Sequence, residues 1–251
     1  MHAILYVGHG TRSKKGAEEA KRFLQKVMDE VKEPIQEISF LELTEPSIEE
    51  GFVRCIERGA TSITVVPLFL LTAGHIKKDI PETLGLLQER HPHIAVTVAD
   101  PFGVQDVILD GMTELVMDTA GLLSPDAAVL IVGRGSSDPV IHRNFAEIAN
   151  GLKDRLGIKR VNVCYLAATT PTFAEGIERI SREFSRVVVV PYLLFGGLLL
   201  SEVQAEVRKR QKAGQSIMTT SALSKHRVIK DIVVERASGR RSVESYAAIN
   251  H

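Results

Sequence analysis

The sequence contains an internal repeat, so that segments of the first half recur in the second. The segment "LYVGHGTR" in the first half corresponds to "LIVGRGSS" in the second, and His9 and Arg134 occupy matching positions 125 residues apart. Pro46 and Pro171 keep the same separation of 125 residues, while "VVPLFLL" matches "VVPYLLF" at 124 residues. Because the repeat is as long as a domain, it predicts two similar folding units rather than a short-repeat solenoid.

Within each copy, short apolar runs alternate with amphipathic segments. The runs predict strands at 3–7, 36–42, 62–66, 94–98, 128–132, 160–165, 186–190 and 216–219. Strand–helix alternation with nearly continuous apolar strands is typical of an α/β fold, with parallel sheets covered by helices on both sides. We expect an N-terminal unit at residues 1–121, a C-terminal unit at 127–236 and a loosely ordered tail at 237–251.

One helix start is suggested by local residue types. In "TEPSIEEGFVRCIERGA", Thr44 is expected to cap the helix and Pro46 to lie in its first turn.

Three reactive side chains follow predicted strands of the first copy. His9 comes after the first strand, Glu42 ends the second, and His75 follows the third in "PLFLLTAGHIKKDIP". Strands of a parallel sheet end at one edge, where ligands bind in open α/β folds. Two imidazoles and a carboxylate at that edge would suit a divalent transition metal or proton transfer.

The second copy serves as an internal control for these three residues. A single loop histidine is more often a surface or capping residue, and a single glutamate is usually a solvated acid. The second copy has Arg134, Ala167 and Leu199 at the three positions, although its strands and helix faces persist. We interpret the three reactive groups of the first copy as chemistry, and the second copy as a lobe that closes over them.

Glycines and basic residues surround the two histidines. Gly8 and Gly10 flank His9, and Gly74 precedes His75; we interpret these glycines as leaving room for a ligand to approach each ring. The loops match neither the P-loop nor the dinucleotide pattern, although their backbone N–H groups could bind anions. Basic residues that follow the histidines, such as Arg12 and Lys14, form either an anion-binding rim or a merely solvated surface.

Composition excludes several classes of function. The 31 basic and 31 acidic residues cancel, which argues against general nucleic-acid binding. The two cysteines lie far apart and form no CxxC pair, so neither a thiolate metal site nor a disulfide framework is expected. The apolar stretches are too short or too interrupted for a signal peptide or a membrane span, so we expect a cytoplasmic protein that binds no membrane.

The motifs "GHGTR", "ELTEPSIEEGF" and "PLFLLTAGHIKKDIP", in this order and with the duplication, resemble the class II tetrapyrrole chelatases. The resemblance spans nearly the whole chain. It implies two flavodoxin-like lobes that face each other across a cleft. It also implies insertion of a divalent metal into a metal-free macrocycle without ATP, with His9 and His75 as active-site histidines and metal ligands, and with Glu42 as the acid beside them.

Within that family, the likeness is greatest to the sirohydrochlorin ferrochelatases, which insert Fe²⁺ into sirohydrochlorin and release two protons to give siroheme. Co²⁺ or Ni²⁺ remain possible metals, no tightly bound cofactor is expected, and a chain with both lobes is expected to work as a monomer. The alternatives are cobalt insertion for cobalamin synthesis and a metal or tetrapyrrole carrier without turnover. The residues expected to hold the eight substrate carboxylates are Gly8, Gly10, Arg12, Lys14, Gly74 and Arg134.

Overall fold

The structure is a computed structural model that describes residues 1–72 and 78–239. The first half contains β1 (His2–Gly8), α1 (Lys14–Met28), β2 (Ile35–Phe40), α2 (Ile48–Glu57), β3 (Ser62–Pro67), α3 (Ile80–Arg90), β4 (Ala95–Val98) and α4 (Asp106–Ala120). The second half contains β5 (Ala128–Gly133), α5 (Pro139–Leu156), β6 (Arg160–Tyr165), α6 (Phe173–Glu183), β7 (Arg186–Pro191), α7 (Leu198–Lys212), β8 (Ser216–Thr219) and α8 (Arg227–Ala237). All eight predicted strands are present.

Each half forms a parallel four-stranded sheet. The strand orders are β2-β1-β3-β4 and β6-β5-β7-β8, so the two sheets have the same topology. The central strands are buried on both faces: residues 3–7 and 128–132 have no exposed surface. This confirms the predicted α/β class with two flavodoxin-like lobes, because helices cover both faces of each sheet.

The last helix of each half crosses to the other lobe. Helix α4 packs against α5 and against β7 and β8, whereas α8 packs against α1 and β3. One large hydrophobic core therefore contains residues from both halves, such as Phe23 and Val27 with Ile232 and Val233. Arg155 reinforces the crossing of α4, since it binds the carboxylates of both Asp106 and Asp110 at 2.6 Å.

This exchange was not expected from the sequence. The units 1–121 and 127–236 describe the repeat along the chain, but α4 belongs to the first unit and packs on the second sheet. We therefore propose these two ranges as the units of the sequence repeat, and not as the bounds of two separately packed lobes. Most of the predicted tail, from residue 240 onward, lies outside the described residues.

None of the described helices is both long enough and apolar enough to cross a lipid bilayer.

Candidate active site

His9 lies at the point where the strand order of the first sheet reverses. β1 pairs with β2 on one side and β3 on the other, and His9 follows its last residue, Gly8. Its ring centroid is 6.0 Å from that of Phe69, just beyond the end of β3. In open α/β sheets this reversal opens a crevice at the carboxyl ends of the strands, so the position of His9 is suited to ligand binding.

Glu42 meets His9 as the strand-end argument predicted. β2 ends at Phe40, two residues earlier than expected, and hydrogen bonds then tie the following loop to the end of β1. Leu41 N–H donates to the carbonyl of Gly8 (2.9 Å), and Glu42 N–H donates to the carbonyl of His9 (3.1 Å). Glu42 Oε1 consequently lies 3.5 Å from Nδ1 of His9, whose side chain is 21% exposed.

Arg134 of the second lobe meets the other nitrogen of the same ring. Arg134 Nη1 lies 2.6 Å from Nε2 of His9. A guanidinium has only donors, so it must donate and Nε2 must accept. The ring is then neutral, with its proton on Nδ1 facing Glu42.

This contact also locates the symmetry axis of the repeat. His9 and Arg134 occupy equivalent positions, and equivalent positions of a two-fold pair touch each other only near the axis. The crevices of the two lobes therefore open toward each other, with His9 and Arg134 at the centre. Arg134 was predicted as a substrate-binding residue, but its contact with His9 was not predicted.

The glycine after His9 is explained by the protein's own packing. Gly10 has a φ of 92°, and a Cβ there would lie 1.6 Å from the carbonyl oxygen of Glu42. A Cβ on Gly8 would lie 2.9 Å from the ring of Phe40. Room for a ligand, which the sequence suggested, is therefore not needed to explain either glycine.

The start of α2 differs from the prediction. Ser47, not Thr44, caps the helix, and Ser47 and Glu50 form a reciprocal capping box. Pro46 precedes the helix. Thr44 Oγ1 instead accepts from Thr11 N–H at 2.9 Å and donates to the Thr11 carbonyl at 3.0 Å, which holds the loop after His9 against the loop after Glu42.

The remaining predicted site residues lie either near His9 or outside the described part of the chain. Arg12 is exposed on the loop after His9, and the exposed Lys14 is the first residue of α1, which Ser13 caps. Gly74 and His75 lie outside the described residues. Among the residues that are described, no cluster of three or more metal-ligating side chains is present, so His9 and Glu42 form a pair to which the sequence would add His75.

The two thiols are unsuited to metal chemistry. Cys55 and Cys164 are both free and buried. Burial raises the pKa of the Cys55 thiol, and that of Cys164, to about 12. Both thiols are therefore protonated at neutral pH, whereas a thiolate is the form that binds metal.

The chain is similar to known chelatases over most of its length. The CbiX family pattern matches the chain twice, over residues 3–119 and 128–239. A sirohydrochlorin ferrochelatase of Priestia megaterium is 44% identical over 90% of this chain and 85% of its own length. A sirohydrochlorin cobaltochelatase of the same organism is 31% identical over 94% of this chain and 79% of its own length.

A solved structure shares the fold. SirB from Bacillus subtilis, determined with Fe³⁺, superposes with a TM-score of 0.83 at 38% identity, covering 95% of both chains. With the double match of the family pattern and the relatives above, this shows that the chain belongs to the CbiX family, the class II tetrapyrrole chelatases.

Proposed function

We propose that this chain is a sirohydrochlorin ferrochelatase, which inserts Fe²⁺ into sirohydrochlorin without ATP and forms siroheme with release of two protons. The observation that carries the proposal is the 44% identity to such an enzyme over 90% of the chain. The pair of His9 and Glu42 at the crevice supports it, because metal insertion needs a base for pyrrole N–H protons and a ligand that delivers the cation.

His9 has the properties that both tasks require. Its Nε2 carries the lone pair that Arg134 contacts, and once that contact opens the lone pair can accept a proton or bind a metal, while the Glu42 carboxylate faces the Nδ1 proton. A carboxylate in that position orients the ring and stabilises it when it becomes charged. His75 would supply the second imidazole and the second metal ligand, as the sequence predicts. Imidazole holds iron less firmly than a thiolate cage and suits transfer.

The substrate carboxylates would be held at the centre of the cleft. Arg134 reaches the centre from the second lobe, and Arg12 and Lys14 are exposed beside His9. We propose that these cations, with backbone N–H groups of Gly8, Gly10 and Gly74, bind the carboxylates. Both walls of the cleft come from one chain, so we propose a monomer as the working form, with the reactive groups in the first lobe.

The choice of metal rests on a comparison within one organism. The chain is 44% identical to the ferrochelatase of Priestia megaterium but 31% identical to its cobaltochelatase. This difference favours iron, although imidazole ligands alone would accept Fe²⁺, Co²⁺ or Ni²⁺. Cobalt insertion is therefore the second candidate, and a carrier without turnover is the third.

Anaerobic incubation with sirohydrochlorin and each metal separates the three candidates. Absorption spectra should show siroheme formed over many turnovers, with a higher kcat/KM for Fe²⁺ than for Co²⁺. Higher efficiency with Co²⁺ would favour the cobaltochelatase. Product limited to one equivalent per protein would favour the carrier.

A further inference from the structure

The contact between Arg134 and His9 uses the free electron pair of the imidazole. Arg134 Nη1 donates to Nε2 at 2.6 Å, which leaves the ring proton on Nδ1, facing Glu42 at 3.5 Å. A metal binds an imidazole nitrogen through its lone pair. In this arrangement neither nitrogen offers one, because Nε2 is accepting a hydrogen bond and Nδ1 is protonated.

A change of tautomer does not solve the problem. Moving the proton to Nε2 would free Nδ1, but it would then set one N–H group against another at 2.6 Å. The guanidinium also carries a permanent positive charge, which would repel a dication bound to the neighbouring imidazole. Either nitrogen of His9 can therefore bind a metal only after Arg134 has moved.

The surroundings of Arg134 indicate what would move it. The residue is exposed, and its own lobe has Ala167 where the first lobe has Glu42. Arg134 therefore has no carboxylate from its own lobe at the position equivalent to that of Glu42 beside His9. A carboxylate accepts two parallel hydrogen bonds from a guanidinium and is a stronger acceptor than a neutral imidazole.

We propose that Arg134 is a positioning residue that competes with the metal for His9, and that a carboxylate of the macrocycle draws it away. Metal then binds His9 most readily when the macrocycle is already in the cleft. The second step rests on the proposed function, since it takes its carboxylate from the substrate; the competition itself does not.

Binding of Co²⁺ alone tests the competition. Calorimetric titration at fixed pH is made with the wild type, Arg134→Met, and Arg134→Met combined with His9→Ala. Arg134→Met should bind Co²⁺ about tenfold more tightly, equivalent to about 1.4 kcal/mol. The gain should disappear in the double variant, because it depends on the imidazole.

Arg182→Met provides the charge control. Arg182 is a surface cation of the second lobe, 78% exposed and paired with Glu178 within α6. Its removal should leave Co²⁺ affinity unchanged. Equal or weaker binding by Arg134→Met, the same gain in Arg182→Met, or no Co²⁺ binding by either the wild type or Arg134→Met would overturn the competition.

Binding of uroporphyrin I, a porphyrin with eight carboxylates, tests the second step without metal or turnover. If a carboxylate must take Arg134 from His9, His9→Ala should tighten uroporphyrin binding about threefold when Arg134 is present and have no such effect in Arg134→Met. Equal effects of His9→Ala in both backgrounds would overturn the second step. Failure of the wild type to bind uroporphyrin would count against the proposed substrate class and the second step, while the Co²⁺ result would stand.

Discussion

The two lobes share a backbone and differ in the side chains that the backbone presents. Gly10 and Gly135 both have a φ of 92°. Glu42 N–H donates to the His9 carbonyl at 3.1 Å, and Ala167 N–H donates to the Arg134 carbonyl at 2.9 Å. The loop conformations are the same, yet one lobe carries an imidazole and a carboxylate where the other has a guanidinium and a methyl group.

The difference separates what the fold needs from what the chemistry needs. Capping boxes begin the second helix of each copy, Ser47 with Glu50 and Thr172 with Glu175. These features recur because each sheet requires them. His9 and Glu42 do not recur, so the fold does not require them. Substitutions at these two residues therefore test the difference between the lobes directly.

The largest expected effect is that of His9→Ala on metal insertion. Loss of a direct acid–base group or ligand should lower the rate by about 10²–10⁴-fold without unfolding the protein. His142→Ala is the matched control, because His142 lies in the second lobe and contacts Tyr165 and Thr169 there. Progress curves and circular dichroism check both variants. Wild-type turnover in His9→Ala, or an equal loss in His142→Ala, would break the assignment of chemistry to the first lobe.

His75→Ala tests the same asymmetry at a residue outside the described ranges. The sequence predicts a second imidazole, so insertion should fall by about 10²-fold or more. Leu199→Ala, at the matching position of the second copy, should change the rate little. Similar rates for the two variants, with both proteins folded, would remove His75 from the proposed site.

Gly10→Ala and Gly135→Ala should be alike, since the glycines serve the shared backbone. The added Cβ would lie 1.6 Å from the Glu42 carbonyl oxygen in one lobe and 1.9 Å from that of Ala167 in the other. Each variant should lose about 2–3 kcal/mol of unfolding free energy, a range seen for strained backbone substitutions. Denaturant unfolding measures this loss. Full stability of Gly10→Ala with lost activity would instead favour a glycine kept for the ligand.

Glu42→Gln should have an intermediate effect on the rate. The amide keeps the size of the side chain but loses its charge, so a supporting role predicts about a tenfold slower rate, below the range for a direct acid–base group. Metal affinity should also weaken. Melting temperature is measured on the same variant, since unchanged turnover with a lower melting temperature would reduce Glu42 to a structural residue.

The smallest effect is expected at a strained position shared by both lobes. Leu43 and Ala168 have φ values of 62° and 63°, in the left-handed region that favours glycine. Leu43→Gly and Ala168→Gly should each raise the unfolding free energy by up to about 1 kcal/mol. Destabilisation by Leu43→Gly alone would show that the leucine side chain makes a contact for which the second lobe has no equivalent.

The sequence predicted features that depend on local pattern. Continuous apolar runs located the eight strands, and the strand-end argument brought Glu42 to His9. The cap of α2 was misassigned because Thr44 binds Thr11, 33 residues away; the S-x-x-E pattern of Ser47 was the signal that pointed to the right residue.

Features that depend on how the lobes meet were not predicted. Hydrophobic periodicity does not reveal the exchange of α4 and α8 between the lobes. The apolar face of a helix shows that the helix packs against a surface, but it does not show which sheet provides that surface. The contact between Arg134 and His9 likewise depends on how the two lobes pack against each other. Its only signal in the sequence was the equivalence of the two positions in the repeat.

The central claim is that the first lobe supplies the reactive groups His9 and Glu42, and that the second lobe contributes Arg134, which contacts His9. Anomalous diffraction from a crystal of the full chain soaked in Co²⁺ tests it most directly. We expect one dominant peak about 2.1 Å from Nε2 of His9, with the Arg134 guanidinium displaced from the imidazole. A dominant peak held by second-lobe residues, or cobalt on His9 with the Arg134 contact intact, would contradict it.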